Sequence, residues 1–108
     1  MDGIAFHSAK EARRFQALSL LLIAGEIRNL ERQPRLTLNT WHVDHSECPL
    51  VGVYVGDFRY EERAVMPRLM QTPTWQEVIE DVKGFKTPLY KWKKKHVEAQ
   101  YGIVIKET

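Results

Sequence analysis

The sequence contains a single cysteine, Cys48, so it cannot form an internal disulfide bond. Chains with so few cysteines are typical of reducing compartments. The sequence also lacks an apolar run near the roughly 20 residues that a membrane-spanning helix needs. Its amino terminus lacks the basic lead of a signal peptide. We therefore expect a cytoplasmic protein with no membrane partner.

The chain also carries little net charge, +2 over 108 residues, so overall charge does not indicate a polyanionic partner. The distribution of charge is more informative, because the stretch from Gly84 to His96 holds five lysines and no acid. These lysines are Lys86, Lys91, Lys93, Lys94 and Lys95. A lysine run is most often a solvated helix face, but it is also a candidate surface for the phosphates of DNA.

Length and composition predict one globular domain over residues 1–108, with 44% hydrophobic and 28% charged residues. Ser8 and Glu11 have the spacing of a capping box, which predicts a helix that begins at Ser8 and ends at Gly25. Residues 27–38 then predict a strand that is bent near Pro34.

Two further strands are predicted at residues 50–60 and 75–83, where β-branched and aromatic residues are frequent. The segments before each of them, residues 39–49 and 61–74, are polar or contain proline, and we expect both to be loops.

Thr87 and Pro88 have the residue types of an N-cap and a first helical position, and Gly102 is a stop signal, so a second helix is predicted between them. Four residues mark one side of this helix: Leu89, Trp92, His96 and Ala99. Residues 103–105 predict a closing strand. The order is therefore helix, three strands, helix, strand, which indicates a mixed α/β fold with a mixed sheet flanked by helices.

The candidate chemistry lies at the ends of the second and third strands. Asp81 and Lys83 are two positions apart on a strand, so their side chains share a face, whereas Glu80 points to the other face and is expected to be solvated. If the strand ending near Asp57 is a neighbour, the two aspartates converge on one divalent cation. Lys83 then reaches the attacking water or the scissile phosphate. A D-x-K triplet by itself most often lies on the protein surface and has no catalytic role.

Several short stretches together resemble a known group of proteins. They are DGIAF at 2–6, SAKEARR at 8–14, GEI at 25–27, QP at 33–34, DFRY at 57–60, EDVKGFKT at 80–87 and AQYGI at 99–103. The chain resembles the PD-(D/E)XK nuclease superfamily, and more narrowly small phage proteins of undefined function related to phage endonuclease I-type junction resolvases. Gly56 stands where the superfamily name has proline.

The resemblance implies a restriction-endonuclease-like core and a magnesium-dependent, structure-selective DNA endonuclease, with Mn²⁺ as a substitute cation. It implies Asp57, Asp81 and Lys83 as catalytic residues, with Glu11 as a third carboxylate at the metal. Branched DNA, including the Holliday junction, is the implied substrate, and symmetric cutting of a junction implies a homodimer. For a phage-encoded protein the compartment is the host cytoplasm.

Other interpretations stay open beside this one. Glu11 is explained equally well by the capping box alone. His42, His45 and Cys48 have a spacing that suggests zinc, but a fourth ligand is not evident and a polar loop explains them better. At the level of function, the alternatives are a non-catalytic DNA-binding module on the same fold and a structural phage protein.

Overall fold

The computed structural model describes residues 8–40, 50–64, 74–82 and 86–108. Its elements are α1 (Ala9–Ile23), β1 (Ile27–Arg32), β2 (Arg35–Asn39), β3 (Leu50–Val55), β4 (Phe58–Arg63), β5 (Trp75–Asp81), α2 (Pro88–Tyr101) and β6 (Ile105–Glu107). The predicted catalytic residue Lys83 lies outside the described residues. So do the three residues with zinc-like spacing, His42, His45 and Cys48. The predicted loops are also mostly outside them.

The strands form a four-stranded sheet in the order β1-β4-β5-β6 and a two-stranded sheet of β2 and β3. All pairs are antiparallel except β5 with β6, which is parallel. The helices pack against these sheets, α1 on β1 and α2 on β2 and β3. The predicted mixed α/β fold with a mixed sheet flanked by helices is confirmed.

Each of the first two predicted strands is divided in the structure. The predicted bend near Pro34 is confirmed, because Gln33 and Pro34 separate β1 from β2. The second predicted strand is also broken, at Gly56 and Asp57, and its second part continues to Arg63. The sequence-based loop beginning at residue 61 was therefore wrong over its first three residues, where β4 pairs with both of its neighbours.

The two breaks lie side by side and are joined through the backbone. The Gln33 N–H donates to the Asp57 carbonyl over 2.9 Å, and the Gly56 N–H donates to the Pro34 carbonyl over 3.0 Å. A Cβ atom on Gly56 would lie 3.2 Å from Cγ2 of Ile79 and 3.4 Å from the carbonyl oxygen of Glu80, both in β5. Close packing thus favours glycine, and a proline here would lose the N–H donor.

We expect Gly56→Ala to lower the free energy of unfolding by about 1 kcal/mol, because the added methyl group would crowd the Ile79 side chain and the Glu80 carbonyl. Urea unfolding monitored by circular dichroism would measure the change. Gly52→Ala is the matched control, since its Cβ would meet only Cδ1 of Leu38 at an ordinary 3.8 Å. Equal stability of the two variants would contradict the packing argument.

Two hydrophobic clusters lie on opposite faces of the four-stranded sheet, because alternate residues of β5 contribute to each. One contains Leu18 of α1 with Ile27, Phe58 and Tyr60. The other contains Leu36, Leu38, Tyr54, Ile79, Val97 of α2, and Ile105. In the described part of the chain, neither helix has the length and apolar character that a membrane span requires.

The predicted helix ends are confirmed. The Ser8 hydroxyl accepts the Glu11 N–H over 3.1 Å, and the Thr87 hydroxyl accepts the Tyr90 N–H over 3.0 Å. Gly102 ends α2 in the left-handed conformation, with φ of 66°. These caps fix where each helix starts relative to the sheet.

The side of α2 that carries Leu89 and Trp92 faces outward. Leu89 and Trp92 are 61% and 51% exposed, whereas Val97 is fully buried and Tyr90 packs against the core. A lysine can also lie on the inward side of a helix. Its aliphatic stem then covers apolar surface, and its ammonium group hydrogen-bonds to an acceptor. Lys93 does this, donating to the carbonyl of Val53 over 3.1 Å.

Candidate functional site

Asp57 is held at the end of the sheet by two hydrogen bonds to β5 and the residue after it. It directly precedes the pair formed by Phe58 and Glu80. Its N–H donates to the Glu80 carbonyl over 3.0 Å, and its Oδ2 accepts the Val82 N–H over 2.6 Å. These partners flank Asp81, so the structure brings the two aspartates to adjacent positions across the strand pair.

The Asp81 carboxylate is only 1% exposed and accepts a hydrogen bond from the Tyr54 hydroxyl. Burial raises the pKa of Tyr54, and the hydrogen bond to Asp81 and the negative charges of Asp81 and Asp57 raise it further. The phenol therefore stays protonated and remains a donor.

Glu80 was predicted to be solvated, and this was wrong. Its side chain is fully buried on the face opposite Asp81, where it accepts Nε and Nη2 of Arg14, both at 2.7 Å, and the hydroxyl of Tyr60. Burial acts to raise the pKa of Glu80, but the hydrogen bonds from Arg14 and Tyr60 and the charge of Arg14 leave it lowered. Glu80 is thus an ionised anchor between β5 and α1.

Glu11 lies in the first turn of α1 and is 3% exposed. It stands one turn before Arg14, which reaches Glu80, and its N–H is capped by Ser8. Within residues 8–40, 50–64, 74–82 and 86–108, no three His, Cys, Asp or Glu side chains are grouped so that they could hold a metal ion. Asp57 and Asp81 thus lie at adjacent positions on paired strands, and the described residues contain no metal-binding group of three that would include Glu11.

A group around Glu107 was missed by the sequence analysis, which ended the last strand at residue 105. Glu107 pairs in register with Asp81. Its carboxylate accepts the Lys94 ammonium and the Tyr90 hydroxyl, each at 3.0 Å, and lies 3.3 Å from the Lys86 ammonium. The hydrogen bond from Lys94, with those from Tyr90 and Lys86, lowers the pKa of Glu107 to about 2. A set of cationic donors is thereby fixed beside Asp81.

The five candidate DNA-binding lysines fall into two sets. Lys86 and Lys94 contact Glu107, and Lys93 contacts the backbone of β3, so these three are engaged within the fold. Lys91 and Lys95 are exposed on α2. Among the residues that the structure describes, these two form no ion pair.

No curated protein and no solved structure matches the chain. A family described as a protein of unknown function (DUF1064) matches residues 1–107. The match includes both aspartates, the buried anchor at Glu80 and the group around Glu107. Because it covers nearly the whole sequence, the chain belongs to the DUF1064 family.

Proposed function

We propose that the protein is a magnesium-dependent DNA endonuclease whose cation is held by Asp57 and Asp81. One observation carries the proposal: Asp57 bonds to the backbone on either side of Asp81, through the Glu80 carbonyl and the Val82 amide. Two aspartates thus occupy adjacent positions at one end of a mixed sheet. The element order with this placement of acids also supports a restriction-endonuclease-like core.

The donor set suits a hard divalent cation. Magnesium prefers oxygen ligands and is commonly held by one or two carboxylates, with waters and substrate phosphates completing the coordination. Asp81 is buried next to a second acid, and a cation there would offset the cost of burying negative charge. When bound, such a cation activates a water for attack and neutralises charge on the scissile phosphodiester.

The chain's own residues have defined parts in this proposal. Tyr54 fixes the orientation of the Asp81 carboxylate through its hydroxyl. Lys83, two positions after Asp81, is proposed to orient the attacking water or the phosphate. Glu107 holds its lysines next to Asp81, where they can meet phosphates that flank the cleaved bond. Glu11 stays a proposed further carboxylate.

The proposed substrate is branched DNA, of which the Holliday junction is one case. Two symmetric cuts across a four-way junction require two active sites related by a twofold axis, so a homodimer belongs to this proposal. The second candidate function is a non-catalytic DNA-binding module. The exposed Lys91 and Lys95 favour it, since they can hold phosphates without any chemistry at the aspartates.

We expect the purified protein to nick a four-way junction in Mg²⁺ or Mn²⁺ and to leave it intact in EDTA, with a linear duplex of the same sequence as the comparison substrate. Asp57→Asn removes one proposed ligand charge and should reduce cleavage roughly 100-fold or more. Gel analysis of end-labelled strands gives both rates.

The matched control is Glu77→Gln, an exposed acid on the same sheet. It should cut as the wild type does. Wild-type protein that binds the junction without cutting it would favour the non-catalytic module. Undiminished cleavage by Asp57→Asn would reject the assigned metal ligand.

A further inference from the structure

The outer face of α2 carries an exposed tryptophan. Trp92 is 51% exposed, although tryptophan side chains are on average among the most buried. Val97 and Tyr90 mark the inward side of the same helix, and Trp92 lies away from both in the helical rotation. Neither the two hydrophobic clusters nor the aspartate site, Asp57 and Asp81, gives a reason for the exposure of this ring.

The ring is held in place on one side and open on the other. His96, one turn further along α2, packs edge-on against Trp92, with ring centroids 5.5 Å apart and planes at 67°. Nε2 of His96 is itself fixed by the carbonyl of Asn39 over 3.0 Å. The histidine thus connects the tryptophan to β2, which limits the motion of the ring without covering it.

Two exposed lysines lie near this ring on α2. Lys91 precedes Trp92 directly, and Lys95 follows it by one helical turn. Both are exposed, and within the described ranges neither pairs with an acid. An exposed aromatic ring beside two lysines matches the two requirements of a nucleotide site, a π-face for the base and positive charge for the neighbouring phosphates.

We propose that Trp92, Lys91 and Lys95 form a platform that binds unpaired DNA nucleotides by stacking one base on the indole. Fully paired DNA keeps its bases stacked inside the duplex, so it offers the ring nothing to stack against. The inference deepens the proposed function and rests on it: the substrate feature it names is the unpaired nucleotides at a branch. The platform lies across α2, roughly 10 Å wide, from Tyr90 and Lys94 beside the aspartate site.

The test measures binding in EDTA, where cleavage does not interfere. A fluorescein-labelled 15-nucleotide oligo(dT) is titrated with the full chain, and the same titration is followed by quenching of tryptophan fluorescence. We expect Trp92→Ala to weaken binding by roughly tenfold or more, the loss typical of a stacking aromatic. Trp92→Phe, which keeps a ring, should retain most of the affinity. A blunt duplex of equal length should bind more weakly than the oligonucleotide.

Trp75→Phe is the matched control, because Trp75 is half-buried and covered by the Arg28 guanidinium, 4.4 Å above its ring. This variant keeps Trp92 and should show both normal affinity and normal quenching, so the quenching test does not depend on how the alanine variant folds. Lys91→Gln and Lys95→Gln should each reduce the slope of log K against log salt by about 0.7. Lys106→Gln, exposed on β6, should leave the slope unchanged.

Wild-type protein that fails to bind the oligonucleotide would overturn the platform, as would Trp92→Ala with wild-type affinity. A change in sedimentation of Trp92→Ala with no change in DNA affinity would assign this face to protein contact and would also overturn it. Binding and cleavage are read separately. Loss of the Trp92 effect with normal cleavage rejects the platform alone, and normal binding without cleavage rejects the nuclease alone.

Discussion

Replacing Arg14 with methionine is expected to destabilise the protein by about 3–5 kcal/mol, the cost typical of leaving one member of a buried ion pair alone. Glu80 is fully buried, and Arg14 supplies its only described counter-charge at hydrogen-bonding distance through two contacts of 2.7 Å. Methionine keeps the length of the side chain but none of the charge. Tyr60 alone then remains on the buried carboxylate.

Urea unfolding of wild type and Arg14→Met at several pH values measures this cost. The pKa of Glu80 is lowered in the folded protein, so its contribution to stability is complete above the unfolded value, about 4.3, and is lost as the pH falls through the folded value. The gap between the two proteins should therefore be largest at neutral pH and should shrink in acid.

Two controls separate the buried pair from ion pairs in general. Arg59→Met breaks an exposed pair with Glu31 and should cost less than about 1 kcal/mol. Combining Arg14→Met with Glu80→Met removes both charges and should recover much of the stability. A single Arg14→Met variant as stable as Arg59→Met would contradict the assignment of Glu80 as a buried, ionised anchor.

Asp81→Asn is expected to reduce cleavage roughly 100- to 1,000-fold, the range seen when one charge-stabilising group is removed from an active site. Asparagine keeps the size of the side chain and can still accept the Tyr54 hydrogen bond. It removes the negative charge that the proposed cation requires. The prediction therefore separates loss of charge from loss of packing at the same position.

Thermal unfolding with and without Mg²⁺ provides a readout that does not depend on DNA. A cation at 100 times its dissociation constant stabilises the native state by about 2.7 kcal/mol. We expect this gain in the wild type and in the Glu77→Gln control, and its loss in Asp81→Asn. Wild-type stability that is independent of Mg²⁺ up to high concentration would count against a metal site at the aspartates.

The parts of the fold that sequence predicted are those marked by local chemistry. Ser8 and Thr87 accept N–H groups that any helix start leaves free, and Pro34 lacks the donor that a continuous strand needs. The alternation of side chains along β5 also predicted correctly that Ile79 and Asp81 lie on one face of the sheet and Val78 on the other. Each of these signals depends on a few neighbouring residues, so sequence alone contains it.

The missed features depend on residues that are distant in sequence. The backbone at Gly56 passes close to Ile79 of another strand, and Glu80 is kept ionised by Arg14, 66 positions away. The role of Glu107 depends on parallel pairing of β6 with β5. A charged residue in a strand is expected to be exposed to solvent unless a partner for its charge is known. The partner of Glu80 is distant in sequence, so its burial was not predicted.

The two neighbouring acids of β5 face opposite clusters, and this constrains strand alignment during folding. A shift of β5 by one residue would turn Glu80 toward Tyr54 and would leave Asp81 beneath α1. Arg14 would then lose its ion pair with the Glu80 carboxylate. Such a shift would cost the buried ion pair on the α1 face, so the order of the two acids favours the observed register of β5.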